Sequence, residues 1–91
     1  MKKIIKFTDV LGNTFELRAV KDSFREAKEE TCWEIESRKI IPELTQWDYY
    51  EPLVCKYYDS EEEAYKDLMR HLDEYKKKAK REDIEVKEIW V

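Results

Sequence analysis

A single glycine, Gly12, serves a chain of 91 residues, with only two prolines beside it. Glycine reaches positive φ without steric cost, so a chain this poor in it makes few sharp turns and runs in long regular elements. The same scarcity excludes the nucleotide and dinucleotide cradles, which need several glycines at fixed spacing. Gly12 itself sits between Asp9 and Asn13, and the flanking segments Lys3–Thr8 and Thr14–Val20 alternate. Ile5 and Phe7 share one face of the first strand, and Phe15, Leu17 and Ala19 share one face of the second. A hairpin is therefore expected, and it uses the only glycine.

Beyond the hairpin, Asp22 and Ser23 open a helix, with Ser23 and Glu26 at the spacing of a capping box. Phe24, Ala27, Thr31, Ile35 and the stem of Arg38 form one stripe at helical period, which is expected to face the sheet. Trp33 points the opposite way on that wheel. Either Trp33 is exposed for a partner, or the helix stops near Glu30 and 31–37 is a strand with Trp33 and Ile35 inward. With no Gly or Pro to mark a break, the continuous helix is preferred. Residues 40–52 carry no clean period. Leu53–Tyr58 has the content of a strand, bounded by Pro52 and by Asp59 and Ser60.

The second helix is the plainest element in the chain. Ser60 and Glu63 make a capping box, and Glu61 and Glu62 suit the positive end of the helix dipole. Lys76, Lys77, Lys78, Lys80 and Arg81 suit its negative end. Tyr65, Leu68, Met69, Leu72, Tyr75 and Ala79 form its buried face. Residues 84–91 read as a final strand. The expected fold is a single small α+β domain, ordered strand, strand, helix, strand, helix, strand. Its sheet is about four-stranded and mainly antiparallel, with two helices packed on one face. Of the adjacent tyrosines, Tyr57 is expected in the core with Tyr65.

No apolar run approaches the length of a membrane span, and Lys6 interrupts the opening Ile4 and Ile5 before a signal peptide could form. A soluble cytoplasmic protein is expected, with Cys32 and Cys55 as reduced thiols. A metal site would need His71, Cys32 and Cys55 to converge from scattered positions, so neither metal nor cofactor is expected. Carboxylate pairs are frequent in so acidic a chain, and none singles out a catalytic dyad. The protein is expected to be no enzyme.

Charge distribution is more informative than the formal net charge of −4. Residues 1–23 carry five basic and three acidic side chains, residues 24–63 five and twelve, and residues 64–91 eight and seven. The acidic middle also holds Trp33, Trp47, Tyr49, Tyr50, Tyr57 and Tyr58. Rings supply contact area at low entropy cost and carboxylates supply steering, a combination suited to a basic protein surface. Trp33, Trp47, Asp48, Tyr49, Tyr50 and Glu51 are the expected partner-binding set. The segment from Tyr57 through Tyr65 resembles small bacterial and phage reading frames, among them immunity and anti-defence inhibitors. That resemblance implies an inhibitor or accessory protein; charge alone adds a nucleic-acid-handling enzyme as one kind of basic partner, whose phosphate-binding surface the acidic patch would occupy. Two alternatives stand beside it. Lys76, Lys77, Lys78, Lys80 and Arg81 could grip the phosphates of RNA or DNA, although an isoelectric point near 5.1 weighs against this. The exposed aromatics could also join two copies in a homodimer.

Overall fold

The computed structural model describes residues 2–40, 48–49, 56–81 and 84–91, with the backbone alone at 48 and 49. The chain runs β1 (Lys3–Thr8), β2 (Thr14–Lys21), α1 (Ser23–Ala27), β3 (Trp33–Lys39), β4 (Asp48–Tyr49), α2 (Glu61–Ala79) and β5 (Val86–Trp90). It is an α+β fold with one open antiparallel sheet and two helices. The four full strands lie in the order β3, β2, β1, β5, and the two-residue β4 adds to the outside of β3.

The first hairpin forms as expected. Gly12 takes φ 84°, and the Asp9 carboxylate accepts the N–H groups of Leu11 and Asn13 at 2.9 Å each. Register pairs Ile5 with Leu17 and Phe7 with Phe15, which sets the apolar side chains of both strands on one face. Ile5, Phe7 and Leu17 are fully buried there, with Ile35 from β3. The opposite face carries charge. Arg18 pairs across to Glu36 at 2.5 Å and Arg38 to Glu16 at 2.6 Å, each joining directly opposed positions on β2 and β3.

The long first helix is corrected. α1 has five residues, and its cap is Asp22, whose Oδ1 accepts from Phe24 N–H at 3.0 Å and Arg25 N–H at 3.3 Å. Ser23 is the first helical residue, so the expected capping box is displaced by one position. Glu29 then turns the chain through φ 57° with no glycine present. A left-handed non-glycine residue costs roughly 1 kcal/mol, and pairing seven residues of β3 with β2 offsets it. Period decides the outcome. As a strand, residues 33–39 send Trp33, Ile35 and Ser37 inward and Glu34, Glu36 and Arg38 outward. A helix would have aimed Trp33 away from the core. The expected stripe therefore divides, with Ile35 buried at 0% and Phe24 exposed at 81%.

α2 carries the helical layer and matches expectation. Ser60 Oγ accepts from Glu63 N–H at 3.1 Å, and Lys80, in the left-handed region at φ 53°, closes the far end. Ala64, Tyr65, Leu68 and Leu72 are buried, and Met69, Tyr75 and Ala79 pack against the same core. Two tyrosine hydroxyls pin the helix to the sheet. Tyr65 donates to the Lys3 carbonyl and accepts from Ala19 N–H at 3.0 Å, while Tyr75 accepts from Val10 N–H at 3.2 Å.

Of the expected strand Leu53–Tyr58, residues 53–55 lie outside the described residues. Tyr58 forms an isolated antiparallel bridge with Trp33 and is 5% exposed in the core. Its neighbour Tyr57 is a correction. Alternation along extended chain sends Tyr57 to the other side, half-buried, where the Arg25 guanidinium lies 3.9 Å from its ring centre.

Candidate functional site

Three of the six expected partner-binding residues have described positions. Trp33 opens β3, half-buried against the core, with the Lys21 ammonium 5.3 Å from its ring centre. Asp48 and Tyr49 form β4, opposite Ser37 and Glu36. Trp33 opens β3 and β4 pairs at its middle, so four residue steps, roughly 13 Å of rise, separate Trp33 from Ser37. Trp47, Tyr50 and Glu51 lie outside the described residues, as does Cys55.

Among the described residues the acid gathers elsewhere. The end of β2, α1, the turn into β3 and the segment leading into α2 meet at one pole of the molecule. Asp22 N–H donates to the Cys32 carbonyl at 2.8 Å, and Thr31 Oγ1 donates to Asp59 Oδ1 at 2.8 Å. Residues 21–31 and 59–66 hold eight carboxylates against four cations. Glu29, Glu30, Asp59, Glu61, Glu62 and Glu63 are exposed to solvent, and so is Phe24 on α1.

Beside this pole lies a knot of titratable groups. Tyr57 donates to Asp22 at 3.4 Å. Burial pushes the Glu34 carboxyl up from its ordinary value, and the charges of Asp22 and Glu36 push the same way, outweighing the Tyr57 hydroxyl and Arg25. The Tyr57 hydroxyl is raised by burial too, then by Glu34 and Asp22.

A second knot sits on α2. Asp67 accepts from Tyr58 at 2.6 Å and from Arg70 at 2.7 Å, with Lys56 at 3.4 Å and His71 at 3.5 Å. Burial raises its carboxyl, but these hydrogen bonds and charges together hold it down at about 2. Here the charge is satisfied within the fold.

At the far end of α2, roughly 28 Å along the helix axis, lies the basic cluster. Asp73, Lys76, Lys77, Lys80 and Arg81 line one concavity of about 860 Å³. Helical spacing puts Asp73, Lys76 and Lys77 on one face of α2, Lys80 and Arg81 join them from the left-handed cap and the residue after it, and Lys78 is exposed outside the concavity. Four of the five expected cations therefore converge. Lys76, Lys77 and Lys80 pair with no carboxylate among the described residues, whereas Lys3, Lys21, Arg25 and Arg70 each have one.

Among the described residues no group of three His, Cys, Asp or Glu is arranged to hold a metal, and no helix is long and apolar enough to cross a membrane. The surface residue that the sequence hid is Phe24. Its signal was the alternation of Trp33, Ile35 and Ser37 with Glu34, Glu36 and Arg38, which requires a strand and so frees Phe24 from the core. Comparison with protein families, with curated proteins and with solved structures returned no match.

Proposed function

We propose that the protein is a non-enzymatic protein-binding module, of inhibitor or immunity type, that docks its acidic pole on a basic protein surface. Phe24 carries this proposal. It is 81% exposed on a five-residue helix with no buried side chain, in a chain segment whose Glu26, Glu29 and Glu30 are exposed as well. An aromatic anchor within a polar, charged rim is the arrangement that concentrates binding energy in protein interfaces. Where the partner's basic surface normally takes nucleic acid, the carboxylates would occupy the place of phosphates. Capture of partners on the immobilised chain tests this. Recovery of a basic protein should fall at least tenfold for Phe24→Ala and for the charge-reversed pair Glu29→Lys/Glu30→Lys, and weaken as salt rises. Equal recovery by both variants would remove the acidic pole as the site. A Trp47→Ala/Tyr50→Ala variant assays the aromatic set separately.

A second function is favoured by a different observation, the convergence of Lys76, Lys77, Lys80 and Arg81 around one concavity. Lysines without carboxylate partners are available to phosphates. Titration of single-stranded RNA and DNA should then show affinity that falls steeply with salt and is lost in Lys76→Glu/Lys80→Glu. No binding at low salt would exclude nucleic acid as the ligand.

A further inference from the structure

The outer edge of β5 has a definite hydrogen-bonding pattern, set by its inner edge. Lys2 N–H donates to the Val91 carbonyl at 2.6 Å and Val91 N–H to the Lys2 carbonyl at 2.8 Å, while Thr8 N–H donates to the Glu85 carbonyl at 3.2 Å. Such pairs recur at every second residue of an antiparallel ladder. Residues 85, 87, 89 and 91 therefore turn their main-chain groups toward β1, and Val86, Glu88 and Trp90 turn theirs outward. Among the described residues no strand lies beyond β5. Trp90 and Val91, 56% and 64% exposed, make this edge apolar, and among the described residues it is unpaired.

We propose that β5 pairs antiparallel with β5 of a second copy, about a two-fold axis at Ile89, to continue the sheet across the dimer. Continuity of the two faces requires odd residues opposite odd and even opposite even. An axis at Glu88 would set that carboxylate against its own copy, and an axis at Lys87 would do the same to two ammoniums. Like charges directly opposite are destabilising. An axis at Ile89 avoids both. It places Ile89 against Ile89 in a non-hydrogen-bonded pair, where side chains come closest, and lets Glu88 and Trp90 exchange main-chain hydrogen bonds on either side. No uncompensated charge enters the seam, because Glu88 keeps Lys3 at 3.0 Å and Lys87 keeps Glu85 at 2.7 Å. The contact is isologous and closed, and it leaves both the acidic pole and the basic concavity free.

Sedimentation equilibrium on the full chain tests this. The mass should rise from 11.2 kDa toward twice that value between about 10 µM and about 1 mM, the range suited to a contact smaller than a standard interface. Ile89→Lys, which opposes two ammoniums at the axis, should hold the mass at one chain. Glu88→Pro removes an outward N–H and the surface ion pair with Lys3 but no main-chain bond to β1, so it should do the same with an unchanged circular dichroism spectrum. Glu88→Gln should leave association within about twofold. A single-chain mass for the unaltered protein throughout this range overturns the proposal, as does a dimer that survives both Ile89→Lys and Glu88→Pro. Association strengthened tenfold or more by Glu88→Gln would overturn the axis at Ile89, since it would mean that two carboxylates oppose one another there.

Discussion

The two helices of this protein are stabilised in opposite ways. α2 has nineteen residues, a capped start, a graded charge along its length and four buried side chains. Each local preference agrees with its packing. α1 has five residues, no buried side chain and a left-handed glutamate two positions past its end. The helical stripe in its sequence runs on to Arg38, about three turns further. What ends the helix is the neighbouring strand, because β3 buries Ile35 and packs Trp33 only when residues 33–39 are extended. Local propensity, at a few tenths of a kcal/mol per residue, is the weaker of the two influences.

The sharpest contrast comes from truncating one apolar side chain on each helix. Leu68→Ala, at a position with 0% exposure on α2, should lower unfolding stability by about 2–5 kcal/mol. Phe24→Ala on α1 should change it by less than about 0.5 kcal/mol. Denaturant unfolding of the two variants measures the gap. A large loss at Phe24 would mean that α1 is packed rather than presented.

Acid should act next most strongly, and it acts through α2. The Asp67 carboxyl, held at about 2 in the folded chain, has an ordinary value near 3.9 when unfolded. Its contribution is therefore fully present above about pH 4 and is lost as pH falls from there toward 2. Tyr58, Arg70, Lys56 and His71 all face this carboxylate, and the shift from the unfolded value bounds the lost stability at about 2–3 kcal/mol. Asp67→Asn should flatten the stability profile across that window, which unfolding curves at successive pH values would register. An unchanged acid slope would place the sensitivity elsewhere.

The cap of α1 ranks third. Asp22→Ala should cost about 1 kcal/mol, whereas Ser23→Ala should cost little, because Asp22 supplies the capping oxygen. Equal losses would return the cap to Ser23. Smallest of all, Glu29→Gly should raise stability by up to about 1 kcal/mol by relieving a left-handed side chain. Thermal unfolding resolves a change of that size in a domain this small.

Much of the fold was legible from residue pattern. Gly12 with Asp9 marked the hairpin, and Ser60, Glu63 and the lysines from 76 onward marked α2, because caps and dipole charges act over a single turn. The basic cluster was legible for the same reason, since residues at helical spacing reach one concavity by local geometry alone. Trp33 was legible as an anomaly and misassigned. A window of about fifteen residues accommodates both a helical stripe through Phe24 and Ile35 and an alternating strand through Trp33 and Ile35. Choosing between them depends on whether β2 is there to pair. Tyr57 and Phe24 changed sides as a result, one leaving the core and the other joining the acidic pole.

Sequence alone therefore determined the elements whose stabilising contacts lie within a few residues of one another: the hairpin, the long helix, its charge gradient and the α+β class. Tertiary structure decided the β3 register, the placement of β5 beside β1, and the meeting of α1 with the segment leading into α2. Those contacts join residues dozens of positions apart, and their free energy appears only once the strands are side by side. The acidic pole belongs to this second kind, since its carboxylates come from two distant segments that only the folded sheet and helix bring together.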